Sequence, residues 1–452
     1  MITELPNEIL YYIYTFLNVK DIINCSLCCK KCNMIKDTPG LWSNFIIKSN
    51  KILQENPHFL YHNRFSLLKR IELNGNNNDE LFEMALSLNQ IKQIKLIDFE
   101  HTTNKYLIKL LHNKEEVSFD NVKLTLHEKL CFLQSMRGTS IKCLTITGMT
   151  MFHIWGLKGQ CNLVFIEHII FIKTYLPPNF VDSFFTSICR AGEQCILKHL
   201  SIVQCSLIYR KCNAVARGVN SLASFSCIAS NGHGIGLDRK EMIELTLRYI
   251  VDKNQTNLTK LVIDNIRVNF IDSYIFSTAL NEINEVDLSN STFSKKQLSN
   301  LFIKMSTKTK IKTLSCHNIK LLCEIEPAIL VNGLYQLENV NLDSTRLTIE
   351  QLKLFICENL KYSQIKVLNI SNTNLNGIDE NTFIGAINNM KCVVIKNTNF
   401  STSKVVSFLS CLKNTTDCKL KHIVIHFPGG KFMFKICHPN VNTETFPLKI
   451  DF

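Results

Sequence analysis

Residues 365–375 of the chain read IKVLNISNTNL, and this stretch decides the fold. Its apolar residues follow the pattern LxxLxLxxTxL. Around Leu368 and Ile370, apolar and polar side chains alternate with the period of a half-buried β-strand. Thr373 comes next and offers a hydroxyl group to the backbone of a turn. The stretch therefore predicts a short strand that ends in a polar turn.

The pattern recurs along most of the chain. Its copies can be aligned on the central apolar residue of the strand, which is Ile71, Ile94, Val117, Leu144, Ile166, Leu200, Phe225, Leu261, Val286, Leu314, Val340, Leu368, Val393 and Ile423. Ten of the thirteen intervals are 22 to 28 residues long, within the roughly 20 to 29 residues of a leucine-rich repeat. A doubly wound α/β domain would have longer strands and no fixed repeat length. The predicted fold class is therefore α/β, a leucine-rich-repeat horseshoe solenoid.

The composition indicates a soluble protein with a large core. Of the 452 residues, 46% are hydrophobic, and the net charge of +13 is spread over many lysines instead of forming one basic block. Such a distribution is typical of a solvated surface and argues against nucleic-acid binding. The first eight residues lack the basic region of a secretory signal. The longest apolar run, Leu163 to Leu176, is too short and too charged to span a bilayer. We expect a cytoplasmic location, a nuclear location or both.

The cysteines predict neither disulfides nor a metal site. There are 19, an odd number, scattered over predicted strands and helices, so we expect reduced thiols that pack as small hydrophobes. Four of them form overlapping CxxC spacings, Cys25, Cys28, Cys29 and Cys32. They lie on adjacent turns of predicted helices without the separate second pair that lets a chain wrap a zinc ion. A second pattern, which begins at His127-Glu128, has Cys131 where HExxH needs its second histidine.

Residues 1–45 do not fit the repeat. They read as three short helices, one from Asn7 to Leu17, one from about Val19 and one running through Cys28 to Ile35. Pro6 suits the first turn of a helix, and Pro39-Gly40 stops the last one. Leu41 and Trp42 then supply two large apolar side chains.

This segment resembles an F-box. The family pattern, written loosely, is LPxEILxxIFxFLxxxDLxxxxxVCKxW followed by LW, and the chain has LPNEILYYIYTFLNVKDIINCSLCCKKC and later Leu41-Trp42. It departs from the pattern at Tyr14, where phenylalanine is frequent, and at Cys32, where tryptophan is usual. The resemblance implies binding to a Skp-type adaptor through the matching residues Leu5, Pro6, Glu8, Ile9, Leu10, Ile13, Phe16, Leu17 and Asp21. The alternative is a helical cap that closes the hydrophobic end of the solenoid.

These patterns divide the chain into four parts. They are an F-box at residues 1–45, a linker at 46–66, leucine-rich repeats at 67–427 and a C-terminal cap and tail at 428–452. The linker is expected to be partly helical and to pack on the first repeat. Capping boxes predict two helix starts, Ser294 with Gln297 and Thr348 with Gln351. From Ile423 to Ile436 the sequence predicts a hairpin that caps the last repeat.

An F-box ahead of leucine-rich repeats is similar to the substrate receptors of SCF-type cullin-RING ubiquitin ligases. The resemblance implies that the F-box docks the Skp-type adaptor, and through it the cullin, while the repeats hold the protein to be ubiquitinated. It implies a non-catalytic subunit with no cofactor and no nucleic-acid or membrane partner. The alternative is a leucine-rich-repeat binding or inhibitory scaffold that acts without a ligase. An enzyme is a third hypothesis, but Gly232, Gly234 and Gly236 give GxGxG instead of GxGxxG.

Acidic residues indicate where a substrate binds. In LxxLxL the residues beside and between the buried positions point out of the concave face. In the eighth to eleventh repeats these positions are assigned to Asp264, Glu285, Asp287 and Asp343. Earlier repeats mix the two signs of charge, as Arg70, Glu72 and Lys95 show. We therefore predict that the four carboxylates bind a basic segment of the substrate.

Overall fold

The computed structural model describes most of the chain. The described residues are 5–17, 19–43, 46–48, 65–74, 83, 85–99, 113–151, 162–207, 212–229, 237–375, 377–387, 389–396, 422–426 and 433–436. The chain divides into two compact units, Met1–Arg210 (unit 1) and Lys211–Phe452 (unit 2). Within the described ranges, no helix combines the length and the apolar character needed to cross a membrane.

Unit 1 begins with a bundle of short helices, Asn7–Tyr14, Val19–Ser26, Lys30–Lys36 and Pro39–Trp42. The three predicted helices are present, and Pro39 also starts a fourth as its first residue. The interior of the bundle is apolar and contains Leu10, Tyr14, Ile22, Cys32, Ile35, Leu41 and Trp42. The Trp42 indole N–H donates to the carbonyl oxygen of Lys36 at 2.6 Å. Its ring packs edge-on against Phe65, with ring centroids 5.2 Å apart, which joins the bundle to the start of the repeats.

The strands of unit 1 are β1 (Ile46–Lys48), β2 (Arg70–Asn74), β3 (Gln93–Ile97), β4 (Glu116–Asp120), β5 (Cys143–Thr147), β6 (His168–Ile172), β7 (Tyr175–Leu176), β8 (His199–Val203) and β9 (Ser206–Leu207). In chain order, β1 to β6 and then β8 form one parallel sheet. A separate parallel pair is formed by β7 and β9. The prediction of a partly helical linker is wrong for the first residues of the linker, which form the strand β1. Buried Ile47 pairs with Ile71 and so extends the sheet. Residues 49–64 lie outside the described part.

The strands of unit 2 are β10 (Ser224–Ile228), β11 (Lys260–Asp264), β12 (Glu285–Asp287), β13 (Thr313–Ser315), β14 (Asn339–Asn341), β15 (Val367–Asn369), β16 (Cys392–Lys396), β17 (His422–His426) and β18 (Met433–Ile436). They pair in chain order and in parallel from β10 to β17. The last pair, β17 with β18, is antiparallel, which confirms the predicted hairpin. Its turn lies outside the described residues. The predicted α/β repeat fold is confirmed.

Within each unit, the strands pair in the register that the aligned apolar residues predict, with one exception. Leu144 pairs with Ile169, and Ile169 pairs with Leu200, so Ile166 is not the central residue of its repeat. A 3-10 helix occupies Asn162–Phe165, and the strand begins only at His168. In such a continuous apolar run, several residues fit the repeat pattern, and the spacing alone selected the wrong one.

Helices return the chain from one strand to the next. In unit 1 the helices whose full bounds are described include Leu126–Gln134 and Pro178–Ala191, with 3-10 helices at Asn162–Phe165 and Gly192–Gln194. In unit 2 they are Cys212–Asn220, Leu237–Lys253, Ser273–Leu280, Lys295–Thr307, Pro327–Leu334, Ile349–Lys353 and Glu380–Ile387, with a π-helix at Leu354–Asn359 and 3-10 helices at Lys320–Glu324 and Leu360–Tyr362. Both predicted capping boxes are formed. The apolar side of Lys295–Thr307 is buried, as its helical spacing predicts.

The turn after most strands contains one residue with positive φ. These residues are Asp98, Asn121, Gly148, Lys173, Gln204, Asn265, Asn290, Asn318, Ser344 and Asn372. The left-handed conformation costs an ordinary residue roughly 1 to 2 kcal/mol, and asparagine tolerates it best. The cost is offset because the backbone N–H then donates to the neighbouring turn, as from Asn318 to the Asp343 carbonyl oxygen at 2.9 Å. Thr373 forms the predicted turn bond, its hydroxyl donating to the Ile370 carbonyl oxygen at 2.5 Å.

Lys114 carries an amine in the interior of unit 1, and its side chain is fully buried. Its Nζ donates to the carbonyl oxygens of Ala85 at 3.1 Å and Leu88 at 3.0 Å. Burial, with a smaller contribution from the positive charge of Lys92, lowers the pKa of Lys114 to about 8. Removal from water disfavours the charged amine even though its hydrogen bonds are satisfied.

We expect Lys114 to make the folded state more stable as the pH rises from about 8 to 10.5. Because the pKa is about 8 in the folded chain and 10.5 in water, the unfolded chain binds more protons in this range. The gain is at most about 3 to 4 kcal/mol, at about 1.4 kcal/mol per pKa unit. It is measured by urea unfolding of the wild type and of Lys114→Met, which has no titrating group at this position. The prediction would be contradicted if the free energy of unfolding changed with pH by the same amount in both proteins.

Candidate functional site

The first helix of the bundle presents an apolar surface to solvent. Ile9, Tyr12, Ile13 and Phe16 are all exposed large apolar residues, with Phe16 at 71%. Their spacing of three and four residues puts them on one side of the helix and the turn that follows it. The rings of Tyr12 and Phe16 lie edge to face, with centroids 4.9 Å apart. We call Ile9, Tyr12, Ile13 and Phe16 the N-terminal apolar surface.

The second and third helices add exposed apolar side chains that the sequence analysis did not single out. They are Ile23, Leu27 and Met34, and Leu27 is 81% exposed. The sequence does indicate an exposed apolar residue here, because Ile22 and Ile23 are adjacent in a helix and so point about 100° apart. In the structure Ile22 is the buried one. A small bundle cannot bury both, so one of the two had to face solvent.

The nine residues implied by the F-box resemblance occupy different environments. Ile9, Ile13 and Phe16 belong to the N-terminal apolar surface. Pro6 and Glu8 are exposed, while Leu5, Leu17 and Asp21 are partly buried.

Leu10 is the exception among the nine residues. At 2% exposure it lies inside the bundle, where it supports the surface from below instead of forming part of it. The Lys31 Nζ donates to the Leu5 carbonyl oxygen at 2.5 Å and ties the start of the chain to the third helix.

Inside the bundle, the two departures from the family pattern lie next to each other. The Tyr14 side chain is buried beside the Cys32 thiol, and this burial raises the pKa of the Tyr14 hydroxyl. A larger side chain at position 14 thus meets a smaller one at position 32. Cys29 caps the third helix, its Sγ accepting from the Cys32 backbone N–H at 3.4 Å, and this hydrogen bond lowers the pKa of the Cys29 thiol. In the described ranges, no three potential ligands are grouped to hold a metal ion.

The second candidate site is a groove of about 510 Å³ on the open face of the unit 2 sheet. We call it the unit 2 groove. Its lining comes from six neighbouring strands and consists of Ser226, Ile228, Lys260, Val262, Glu285, Val286, Asp287, Thr313, Ser315, Asn339 and Val367. Apart from Val286 and Ile228, these residues flank the central buried residue of their strand, and Ile228 follows buried Cys227. Successive side chains of a strand point to opposite faces, so all but Val286 are on the open face. Paired register then aligns them in rows across the sheet.

Two of the four predicted substrate-binding carboxylates line the unit 2 groove, and Asp264 and Asp343 do not. Glu285 and Asp287 flank buried Val286, and their binding of a substrate stays a prediction. Asp264 ends β11, and the negative charge of Asp287 acts on it.

Asp343 lies in the turn after β14, three residues after the central Val340, which is the same repeat position that Asp264 occupies after Leu261. Its Oδ2 is 3.4 Å from His317 Nδ1, and its Oδ1 accepts from Asn372 Nδ2 at 2.7 Å. The strand β14 ends two residues earlier, at Asn341.

The two carboxylates that line the groove and the neighbouring Asp264 differ in their partners. Glu285 forms an ion pair with Lys260 at 3.3 Å. Asp287 Oδ1 accepts from the backbone N–H of Ser289 at 2.9 Å and from its hydroxyl at 2.5 Å. Asp264 Oδ1 accepts from Asn290 Nδ2 at 2.9 Å. Burial raises the pKa of Asp264, and the charge of Asp287 raises it further. Two of the three carboxylates therefore have neutral hydrogen-bond donors in place of a lysine or arginine.

Unit 1 has a smaller groove, of about 190 Å³, on its own sheet face. Its charges pair with one another or with nearby residues, Glu72 with Lys48 at 3.3 Å and Lys95 with Asp120 at 2.8 Å. This agrees with the mixture of signs noted for Arg70, Glu72 and Lys95. The unit 1 groove has no excess of one charge.

Comparisons with known proteins identify the N-terminal bundle. Residues 2–44 match the F-box domain family. No curated protein matches the chain. Among solved structures, the chain is similar to one in the Toll–Spatzle complex, a molecular hub in Drosophila development and innate immunity. The alignment covers 84% of this chain and 46% of that one, at 12% identity and a TM-score of 0.36. The chain thus spans less than half of that structure, and so low a TM-score supports no argument. Residues 2–44, whose described part forms the helical bundle with the N-terminal apolar surface, are an F-box domain.

Proposed function

We propose that this chain is the substrate-recognition subunit of an SCF-type E3 ubiquitin ligase. F-box domains in general occur in substrate adaptors of such ligases, and residues 2–44 of this chain are an F-box domain. In this proposal the F-box docks a Skp-type adaptor, the adaptor connects it to a cullin, and the repeats bind the protein to be ubiquitinated. The chain performs no bond chemistry itself and acts in the cytoplasm, the nucleus or both.

The observation that carries the proposal is the N-terminal apolar surface. Ile9, Tyr12, Ile13 and Phe16 are exposed together on a bundle whose own interior is already filled by other residues. Contiguous exposed apolar side chains mark interaction sites, because water solvates them poorly. Burial of a large apolar side chain contributes roughly 1.5 to 3 kcal/mol, so a few such residues are enough for a stable complex with an adaptor.

The expected result of Ile13→Ala combined with Phe16→Ala is at least a tenfold loss of affinity for a Skp-type adaptor. A tenfold loss equals about 1.4 kcal/mol, less than burial of these two side chains contributes. The affinity is measured by calorimetry with the full chain. Because both side chains are exposed, the melting temperature should stay close to that of the wild type.

The matched control is Leu126→Ala combined with Ile196→Ala, two half-exposed apolar residues of the repeats in the same unit. It should leave adaptor affinity unchanged. The proposed docking surface would be contradicted if Ile13→Ala combined with Phe16→Ala bound the adaptor as strongly as the wild type does. Co-purification of a cullin with the adaptor complex separates a ligase subunit from a scaffold that acts without a ligase.

A further inference from the structure

Two thiols of the F-box lie together at the start of its third helix, Lys30–Lys36. Cys29 immediately precedes this helix and Cys32 is its third residue, so the two form a CxxC pair. Both are free thiols in the structure. Cys29 is partly exposed, whereas Cys32 is buried at 3% exposure. The pair therefore has one side chain open to solvent and one in the interior of the bundle.

The Cys29 sulfur accepts hydrogen bonds from the helical turn that follows it. Its Sγ accepts from the Cys32 backbone N–H at 3.4 Å, and the Cys32 thiol also donates to it. These bonds, together with a smaller contribution from the positive charge of Lys31, hold the pKa of the Cys29 thiol below its usual value. A larger fraction of Cys29 is thus present as thiolate, which is the nucleophilic form of cysteine.

Burial has the opposite effect on Cys32. Removal from water raises the pKa of its thiol, and the hydrogen bond that it donates to Cys29 raises the pKa further, while Tyr14 partly opposes both. Cys32 consequently keeps its proton under conditions in which Cys29 ionises. One thiol of the pair is suited to attack a reagent, and the other stays protonated until the first has reacted.

The backbone places the two side chains close enough for a disulfide. Cys29 has an extended backbone, with φ −163° and ψ 165°, which turns its side chain back over the first turn of the helix. Residues three positions apart at the start of a helix have Cα atoms roughly 5 to 6 Å apart, and a disulfide needs about 4.4 to 6.8 Å. Rotation of the two side chains can therefore bring the sulfurs together without separating the helices.

A helix cap or a metal site explains the pair less well. Oxygen-bearing residues are preferred at the start of a helix, because sulfur is the weaker hydrogen-bond acceptor. The described residues contain no group of three potential metal ligands. The neighbouring Cys28 is more exposed, but its thiol donates to the Asn24 carbonyl oxygen at 3.8 Å. Cys29 differs from Cys28 because its sulfur accepts hydrogen bonds that stabilise a thiolate.

We propose that Cys29 and Cys32 are a reversible redox pair, in which hydrogen peroxide oxidises Cys29 and Cys32 then closes a disulfide with it. This inference goes beyond the proposed ligase function and does not depend on it.

The reaction has two steps. The Cys29 thiolate attacks one oxygen of the peroxide, the O–O bond breaks, and the hydroxide that leaves takes up a proton to become water. The Cys32 sulfur then attacks the sulfenic acid of Cys29, the S–O bond breaks, and the departing hydroxide takes the proton of Cys32 to become a second water. The two thiols lose two electrons in total, and the peroxide gains them. A dithiol reductant restores both thiols.

The test treats the full chain with one equivalent of hydrogen peroxide at about pH 7, where an ordinary thiol is mostly protonated. The remaining thiols are alkylated, and the cysteines are mapped by mass spectrometry. In the wild type we expect Cys29 and Cys32 to escape alkylation and to be joined by a disulfide, with the loss of two hydrogen atoms. Treatment with dithiothreitol before alkylation should restore both thiols.

Three variants assign the roles of the two sulfurs. Cys29→Ser keeps a preferred capping residue, so its melting temperature should stay close to that of the wild type, but Cys32 should be oxidised at least about ten times more slowly. Cys32→Ala combined with Cys28→Ser retains the attacking sulfur alone, so a sulfenic acid should accumulate at Cys29 and react with dimedone. Cys28→Ser is the matched control and should form the disulfide at the wild-type rate.

Three results would overturn the inference. They are free thiols at Cys29 and Cys32 in the peroxide-treated wild type, a disulfide from Cys29 to Cys28 or Cys25, and oxidation of Cys32 in Cys29→Ser at the wild-type rate. Adaptor affinity, measured on the untreated protein, tests the ligase function separately. Failure of either proposal therefore leaves the other one standing.

Discussion

Gly333→Ala should destabilise unit 2 by about 3 kcal/mol, at the upper end of the usual cost of overpacking. Gly333 lies in the helix Pro327–Leu334 where this packs against the helix Lys295–Thr307. A Cβ atom at this position would be 2.8 Å from both the Phe302 carbonyl oxygen and the Phe302 Cδ1, and 2.9 Å from the Phe302 Cα. Backbone atoms cannot rotate aside as a side chain can. The two helices would have to move apart, which would open the core between consecutive repeats.

Gly385→Ala is the matched control and should stabilise unit 2 instead of destabilising it. Gly385 also lies in a helix of unit 2, Glu380–Ile387, but a Cβ atom there would have no neighbour within 4 Å. Alanine is favoured over glycine in a helix by roughly 0.5 to 1 kcal/mol. Differential scanning calorimetry of the full chain compares the two variants. The close helix packing would be contradicted if both variants shifted the melting temperature in the same direction. It would also be contradicted if Gly333→Ala melted at the wild-type temperature.

Gln297→Leu should cost about 4 kcal/mol, because one side chain satisfies three buried backbone groups. Gln297 is fully buried. Its Oε1 accepts from the backbone N–H of Ser294 at 2.8 Å, which caps its own helix. Its Nε2 donates to the carbonyl oxygens of Val268 at 2.9 Å and Ile271 at 2.7 Å, in the preceding repeat. Leucine has a similar volume but leaves the Ser294 N–H and the Ile271 carbonyl oxygen unpaired, at about 1 to 3 kcal/mol each. The Val268 carbonyl oxygen also loses one hydrogen bond but still accepts from the Ile271 N–H at 3.0 Å.

Two comparisons isolate the link between repeats from the cap. Ser294→Ala removes only the hydroxyl of the capping box and should cost about 1 kcal/mol. Gln351→Leu should cost as much as Gln297→Leu, because Gln351 Nε2 donates to Leu322 and Ile325 in the same way, at 2.8 and 2.7 Å. Urea unfolding of the four proteins measures these differences. The link is contradicted if Gln297→Leu costs no more than Ser294→Ala.

Local patterns in the sequence were enough to predict the repeats, the capping boxes and the helices of the F-box. The strand positions follow from side-chain alternation, which depends only on neighbouring residues. For this reason almost every central residue of a repeat was found, and Ile166 was misplaced only where a continuous apolar run removed the alternation. The capping boxes of Ser294 and Thr348 are formed within four residues, so they too could be read directly. The confirmed hairpin at the end of unit 2 has the same local origin.

The candidate sites depended on tertiary structure, because a side chain's environment is set by elements far away in sequence. The sequence showed Leu10 and Ile13 as equivalent apolar residues, yet packing buries the first and exposes the second. It grouped Asp343 with Glu285 and Asp287, while the exact end of β14 moves Asp343 into a turn. The second role of Gln297 requires carbonyl groups 26 and 29 residues earlier in the chain. Sequence alone determined which residues form each repeat, and only the stacking of one repeat on the next decided which side chains became buried, paired or available to a partner.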